Sequence, residues 1–302
     1  MKGKQGRAIL LAFLAAALYA VNSPCSKLLL AHVSATMLAG FLYLGAGVGM
    51  AVVSVAQRAG HVAAKEQPLT KAELPYTLAM ILLDILAPIL LMLGLSATTA
   101  ANASLLNNFE IVATSVIALV VFREAISKRL WVAIALVTLS SMLLSFEDMS
   151  SFSFSSGSLL VLGACVCWGF ENNCTRKLSA KSPLEIVELK GFGSGLGAII
   201  VALIAGESLP TARYALLTML LGFVTYGLSV FFYVYAQRDL GAAKTSAYYA
   251  VAPFIGVLLS LIVFHELPNG MFFVALAMMA VGAWLASTDG VSGGVKELSH
   301  RH

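Results

Sequence analysis

Charged residues are scarce in this sequence, and their scarcity excludes a water-soluble fold. Asp, Glu, Lys and Arg together make up 11% of the 302 residues, whereas soluble domains carry about 25%. Hydrophobic residues supply 59% of the chain, and the mean hydropathy is +0.89. A chain of this composition is expected to lie in a lipid bilayer.

Histidine and cysteine are also few, which argues against a metal centre or a hydrolytic site. The 5 histidines are scattered in loops and chain ends, without a His-x-x-x-His pair or a Gly-rich phosphate loop. Of the 4 cysteines, Cys165 and Cys167 are two positions apart and so point to different faces of a helix. We therefore expect no metal, no cofactor, no structural disulfide and no catalytic residues.

Long apolar runs dominate the rest of the chain. A helix needs about 20 mostly apolar residues to cross the hydrocarbon core, where backbone polar groups cannot stay unpaired. Windows of that kind occur at residues 8–29, 35–56, 75–95, 99–121, 130–146, 158–178, 184–205, 214–236, 242–263 and 270–287. The sequence predicts an all-α, polytopic membrane protein, and these windows are numbered here as spans 1 to 10.

The basic residues predict how the chain is oriented. Cytoplasmic loops carry an excess of Lys and Arg, and nearly all such residues fall on one side if the N-terminus is inside. Both termini are then cytoplasmic, in a bacterial-type inner membrane. This bias also accounts for the net charge of +4, so nucleic acid is not an expected partner.

The two halves of the chain resemble each other. Residues 17–27 match residues 166–176, because an aromatic residue, a polar pair, Cys, a hydroxyl and a base recur in order. Residues 122–124 (Phe-Arg-Glu) likewise match residues 264–266 (Phe-His-Glu). The repeat is thus five spans long, and because five is odd, the second half enters the membrane from the opposite side.

The repeat divides the chain into a first unit at 1–148, a second unit at 149–290 and a cytoplasmic tail at 291–302. Inverted repeats are typical of secondary transporters, which place the substrate near the bilayer midplane between the halves and rock one half against the other.

The sequence resembles the EamA-type carriers of the drug/metabolite transporter superfamily over about residues 7–288. The resemblance rests on short fourth and ninth spans that end in Glu124 and Glu266, on Pro253 within span 9, and on Trp168-Gly169 in span 6. The sequence departs from strict repetition at Ile111, the counterpart of Pro253. The resemblance implies a ten-helix secondary carrier for small organic solutes, often an exporter.

An ionisable residue inside a span needs a partner or a functional role, because placing its charge at the centre of a membrane helix costs at least about 2.5 kcal/mol. Asp84 lies one turn before Pro88 in span 3; it is interpreted either as a cation or proton site or as an acid capped by a neighbouring hydroxyl. Glu110 shares a predicted helix face with Asn107 and Thr114, which favours a proton site over a hydrogen bond between helices. We predict Asp84 and Glu110 as proton-coupling residues and Asn107 as substrate-binding.

An aromatic residue and a polar residue share a face in spans 1 and 6. Trp168 precedes Glu171 by three positions, and Tyr19 precedes Asn22 by the same interval. An aromatic face beside a carboxylate suits an amine, so all four are predicted to bind substrate. The alternative is a structural ion pair between Glu171 and Lys190, which lie at similar depths by helix rise.

Two tyrosines complete the predicted site. Tyr226 and Tyr249 are the repeat counterparts of Asp84 and Asn107, which are also polar. We therefore favour them over other membrane tyrosines, most of which serve packing or the interface.

The predicted function is secondary transport of a small organic metabolite, an amino acid or other amine, by proton-coupled export. A sugar or nucleotide-type cargo on the same fold is the alternative within this class. An integral-membrane enzyme acting on a lipid-linked substrate would need clustered His and acids, and a channel would need rings of repeated charge. The expected partners are a small molecule and the bilayer, and a homodimer stays open.

Overall fold

A computed structural model describes residues 2–59, 67–122, 127–148, 153–178, 181–240, 248–265 and 268–299. Glu124 and Glu266, two cues of the family resemblance, lie outside the described residues, as does the start of span 9. The described part is helical apart from a short antiparallel ladder that joins β1 (Phe146–Asp148) to β2 (Ser153–Phe154) between the halves.

The described residues of the first half form seven α-helices. They are α1 (Lys2–Ala20), α2 (Asn22–Leu29), α3 (Ala35–Ala59), α4 (Leu74–Ser96), α5 (Ala100–Leu106), α6 (Phe109–Phe122) and α7 (Lys128–Ser145). A 3₁₀ turn at Lys71–Glu73 precedes α4. Helices α1 and α2 together form span 1, and α5 and α6 together form span 4.

The second half forms the remaining helices of the described chain. They are α8 (Ser156–Leu178), α9 (Pro183–Ile204), α10 (Ala212–Gly222), α11 (Ser229–Leu240), α12 (Ala252–Phe264) and α13 (Gly270–Ser299). A π-helix at Phe223–Leu228 joins α10 to α11 within span 8. Helix α13 continues to Ser299, through residues that the sequence assigns to a tail.

Helices of all ten spans lie in the described chain, with span 9 described from residue 248, and the spans are not equally apolar. Among the described residues, seven helical segments are long and apolar enough to cross a membrane, and Ala252–Phe264 and Gly270–Ala286 are shorter apolar helices. Helix α8 has 23 residues but carries the polar run Glu171-Asn172-Asn173. The all-α, ten-span prediction is confirmed.

The helices of the two halves pack in a symmetric pattern. Helix α3 packs against α9, α4 against α8, α1 against α11, α5 against α12 and α7 against α13. In span numbers these pairs are 2 with 7, 3 with 6, 1 with 8, 4 with 9 and 5 with 10. Exchanging each span for its repeat counterpart leaves the set unchanged, as the five-plus-five repeat predicts.

Glycines let α3 and α9 approach each other closely at the centre of this arrangement. A Cβ placed on Gly191 would lie 2.2 Å from the Gly47 nitrogen and 2.3 Å from the Gly47 Cα. Small residues at such contacts allow close van der Waals packing, which drives helix association in lipid. This packing brings Lys190, the neighbour of Gly191, to the interface of the halves.

Several spans are interrupted near their middle. Span 1 turns at Val21, span 8 passes through the π-helix, and span 4 breaks between Leu106 and Phe109. In span 4 the Asn108 side-chain amide donates to the Leu105 carbonyl at 3.2 Å. Interrupted spans and π-segments occur at transporter binding sites and other functional sites.

The break in span 4 falls within the polar stripe predicted for that span. Asn107 follows the end of α5, whereas Glu110 and Thr114 belong to α6. The Glu110 nitrogen donates to the Asn107 carbonyl at 3.1 Å, so one helical turn still joins these two residues. Asparagine side chains compete locally for backbone hydrogen bonds, and the Asn108 amide does so with the Leu105 carbonyl where α5 ends.

Candidate functional site

A lysine and two carboxylates form a buried ion cluster between the halves. Lys190 Nζ on α9 lies 3.2 Å from Asp84 Oδ2 on α4 and 2.8 Å from Glu171 Oε1 on α8. Asp84 is fully buried, and Glu171 is 3% exposed. The structure therefore contains the Glu171–Lys190 pair that the sequence left as an alternative, and it adds Asp84. We call Asp84 and Glu171 the charged pair.

Two hydroxyl groups complete the contacts of the charged pair. Tyr43 Oη donates to Asp84 Oδ1 at 3.1 Å, and Thr175 Oγ1 donates to Glu171 Oε1. Sequence reasoning did not select Tyr43; the available signal was a phenol near the middle of span 2. These hydroxyls orient the carboxylates, so the lysine contacts two groups that are held in place.

Glu110 lies beside this cluster. Its Oε1 accepts a hydrogen bond of 2.6 Å from Asn172 Nδ2, and Asn172 directly follows Glu171 in the chain. The same amide lies 3.4 Å from Thr114 Oγ1. Three carboxylates are thus gathered in one part of the bundle, and among the described ion pairs Lys190 contacts two of them.

Tyrosine rings extend from the ion cluster across the interface. The ring of Tyr43 lies 4.7 Å from that of Tyr226, and Tyr226 meets Tyr19 edge-on at 6.0 Å. Tyr19 in turn lies 5.9 Å from Tyr249, which meets Tyr233 at 5.0 Å. We call these residues the tyrosine cluster. The structure brings the predicted residues Tyr19, Tyr226 and Tyr249 together.

Asn22 and Tyr226 form a hydrogen-bonded neutral pair in this cluster. Asn22 Nδ2 donates to Tyr226 Oη at 3.0 Å, and Ser26 Oγ donates to Asn22 Oδ1 at 3.1 Å. Asn22 and Ser26 are buried. Asn22 is thus held by α2 and by the π-helix of span 8, where both spans are interrupted.

The other two predicted binding residues lie nearby. Asn107 is buried, and its Oδ1 has no hydrogen-bond partner among the described residues. Its carbonyl oxygen lies 4.0 Å from the Cys165 sulfur, one turn before Trp168 on α8. Trp168 is 6% exposed and belongs to the same apolar core as Tyr43. Asn107 offers an acceptor that a ligand could satisfy.

A small cavity of about 20 Å³ lies beside Lys190 and two rings of the tyrosine cluster. It is lined by Tyr43, Ala46, Val187, Lys190, Gly191, Tyr226 and Val230. Space of this size holds about one water molecule.

Contacts between the halves also exist at both membrane faces. On the face opposite the N-terminus, Glu207 Oε2 accepts hydrogen bonds from Ser34 Oγ at 2.7 Å and from the Met37 nitrogen at 2.8 Å, at the start of α3. We call this the far-face contact. Burial alone would raise the pKa of Glu207, but these hydrogen bonds and that from Thr36 outweigh burial and lower it.

The face that carries the N-terminus has its own contacts between the halves. Glu185 Oε2 accepts from the Leu69 nitrogen at 2.9 Å, and Gln67 O accepts from the Ser182 nitrogen at 3.0 Å. Lys181 Nζ lies 3.5 Å from Glu73 Oε1. Residues 67–73 belong to the first half and residues 181–185 to the second, so the halves are joined at both ends.

Comparisons with known proteins agree with this architecture. The model of the EamA-like transporter family matches residues 6–146 and 155–288, one match in each half. A solved crystal structure of a protein 18% identical to this chain superposes with a TM-score of 0.64, over 92% of this chain and 95% of that one. The ten-helix fold is therefore shared.

Two relatives are named as transporters. An uncharacterized transporter of Methanothermobacter thermautotrophicus is 24% identical, with 90% of this chain and 83% of the relative covered. The transporter YyaM of Bacillus subtilis is 21% identical over 57% of this chain and 59% of the relative. The prediction of a multi-pass transporter rather than an enzyme is confirmed by the family match, and the chain belongs to the EamA-like transporter family.

Proposed function

We propose that this protein is a secondary transporter that carries a small organic amine, such as an amino acid, across the inner membrane by alternating access. The observation that supports this cargo is the group of three carboxylates, Asp84, Glu110 and Glu171, beside the tyrosine cluster. In the described ion pairs of these carboxylates, the ammonium of Lys190 faces Asp84 and Glu171 together, so carboxylates outnumber the cation in that cluster.

The site suits a cation for two physical reasons. Opposite charges interact more strongly in the low dielectric of the bundle than in water. Contact between a cation and an aromatic face adds about 0.5 to 2 kcal/mol, depending on desolvation. The rings of Tyr19, Tyr226 and Tyr249 supply such faces next to the carboxylates.

Alternating access fits the contacts at the two faces. The halves are joined at the far face through Glu207 and at the other face through Glu185. Opening towards one side requires breaking one of these contacts while the other holds. The symmetric packing of the spans supports rocking of one half against the other.

Coupling to protons is the second element of the proposal. The described hydrogen bonds to Glu110 come from a neutral amide, so a proton is a suitable counter-charge when no cargo is bound. Asp84 lies in an ion cluster whose charge changes if a cargo cation arrives. We propose that coupled transport runs as export, the direction that the resemblance to EamA-type carriers implies.

The test is uptake into proteoliposomes with an imposed pH gradient. Purified protein is screened with amino acids, monoamines, polyamines, quaternary amines and sugars, each with and without the gradient. We expect gradient-dependent uptake of one or more amines by the wild type and its loss in Glu110→Gln.

Glu73→Gln, the same chemical change at the membrane surface, is the control and should keep the gradient dependence. Uptake of sugars alone would contradict the amine cargo. Unchanged proton dependence in both Glu110→Gln and Asp84→Asn would contradict the coupling.

A further inference from the structure

Lys190 holds a distinctive position, because carboxylates from both halves share its ammonium group. Asp84 belongs to the first half, whereas Glu171 and Lys190 belong to the second. Nζ lies within 3.2 Å of both carboxylates, on helices α4 and α8. The ammonium therefore links the halves by charge in the middle of the bundle.

The charged pair surrounds one primary ammonium. A lysine ammonium is a compact charge with three donors on a flexible stem, and Nζ lies 3.2 Å from Asp84 Oδ2 and 2.8 Å from Glu171 Oε1. Asp84 Oδ2 has no hydrogen-bond partner among the described residues, so it keeps an acceptor for a second donor. The hydroxyls of Tyr43 and Thr175 hold those carboxylates from other directions. Their hold does not depend on which molecule supplies the ammonium.

Free space adjoins Lys190 on the side of the tyrosine cluster. The small cavity is bounded by Lys190, Tyr43 and Tyr226 and by the apolar side chains of Val187 and Val230. Lys190 thus shares one small space with two rings of the tyrosine cluster, where an amine cargo is proposed to bind.

We propose that Asp84 and Glu171 form a binding site for a primary ammonium and that Lys190 occupies it in this conformation as a displaceable counter-cation. An arriving primary amine takes the place of Nζ, so the charge link between the halves is exchanged rather than lost. Lys190 thereby sets the affinity for cargo. The ammonium site stands on its own, whereas competition with cargo rests on the proposed function.

The first test compares Lys190→Ala with Lys190→Met, which are equally uncharged. Alanine opens the space that the ammonium fills, whereas the methionine stem keeps it filled. A ligand that binds the folded state raises its stability with concentration. We expect methylammonium to raise the Tm of purified Lys190→Ala in a saturating manner, and not that of Lys190→Met.

Two controls complete this test. Tetramethylammonium at equal ionic strength, which cannot donate hydrogen bonds, should leave the Tm of Lys190→Ala unchanged, and adding Asp84→Asn should remove the methylammonium effect. No rise in Lys190→Ala, or equal rises in the Ala and Met variants, would overturn the ammonium site.

The second test uses Lys190→Arg and separates displacement from a purely structural ion pair. An arginine fork holds carboxylates through paired hydrogen bonds and is harder to displace. We expect KM for the transported amine to rise about tenfold or more, as one added charged hydrogen bond gives, while Tm stays at or above the wild-type value.

A wild-type KM in Lys190→Arg would overturn the displacement role, because a structural pair is served equally by arginine. Failure of the wild type to transport any amine would count against the proposed function, and the methylammonium test would still decide on the ammonium site.

Discussion

The charged pair and the neutral pair occupy equivalent places in the two halves of the repeat, yet their chemistry differs. Asp84 is the repeat counterpart of Tyr226, and Glu171 is the counterpart of Asn22. One pair is bridged by the ammonium of Lys190, and the other is joined by a single hydrogen bond of 3.0 Å. The helices therefore pack symmetrically, whereas the side chains of the site differ between the halves.

This difference indicates which of the two places attracts a cation or a proton. Helices α4 and α8 each present a carboxylate. Their repeat counterparts differ, since span 8 presents the phenol of Tyr226 and span 1 the amide of Asn22. A cation or proton is drawn to the first location, and the second offers hydrogen bonds and ring faces. Substitutions that break one pair at a time separate the contributions of the two pairs to stability and to transport. The expected effects follow from the largest to the smallest.

The largest effect on stability is expected from removing the Lys190 ammonium, which bridges the charged pair. Lys190→Met leaves Asp84 and Glu171 buried without their cation, and breaking a buried ion pair in this way typically costs about 3 to 5 kcal/mol. Thermal unfolding of the purified variant should show a large drop in Tm. Adding Asp84→Asn should recover part of it; a double variant less stable than the single one would contradict this account.

The next effect concerns the packing that positions both pairs. Gly191→Ala would place a Cβ 2.2 Å from the Gly47 nitrogen, forcing α3 from α9 at a cost of about 1 to 3 kcal/mol. Thermal unfolding measures the loss. The matched control is Gly193→Ala on the same helix, where the new Cβ meets the flexible end of Ile81 at 2.9 Å; equal losses would show that backbone contact is not the reason.

A smaller effect is expected from breaking the neutral pair. Tyr226→Phe keeps the ring but removes the acceptor of Asn22 Nδ2, which typically costs about 1 kcal/mol. Tm should fall modestly, and amine uptake should persist with a raised KM and an unchanged pH profile. A loss of stability as large as that of Lys190→Met would remove the distinction between the two pairs.

The smallest effect concerns the far-face contact, which tests whether charge outside the two pairs controls the pH response. The lowered pKa of Glu207 means that its hydrogen bonds to Ser34 and α3 stabilise the contact above the usual glutamate pKa. That stabilisation is lost only as the pH falls through the lower, folded-state value. Glu207→Gln should therefore keep the wild-type uptake profile between about pH 5 and 8; a shifted profile would assign proton sensing to this face.

Much of the fold follows from the sequence, because the bilayer fixes span length and the repeat fixes the order of the spans. The grouping of Asp84, Glu171 and Tyr226 near one interface also follows, since polar residues in spans need partners. The pairing of Glu171 with Lys190 was foreseen as an alternative from equal depth along their helices. These inferences depend on position along a helix axis, which the sequence encodes directly.

What the sequence did not yield depends on rotation about helix axes and on loop paths. Tyr43 on α3 reaches Asp84 on α4, and no spacing within span 2 encodes how α3 is rotated towards α4. The break at Asn107 and Asn108 depends on local side-chain competition for backbone groups. The Glu207 contact joins a loop to a helix start some 170 positions away.

The most direct test of the asymmetric site is proton movement during amine uptake, measured with a pH-sensitive dye inside proteoliposomes. Asp84→Asn in the charged pair and Tyr226→Phe in the neutral pair are compared with the wild type. The account predicts that Tyr226→Phe retains proton movement with each amine transported and that Asp84→Asn loses it. Retention in Asp84→Asn together with loss in Tyr226→Phe would contradict the account.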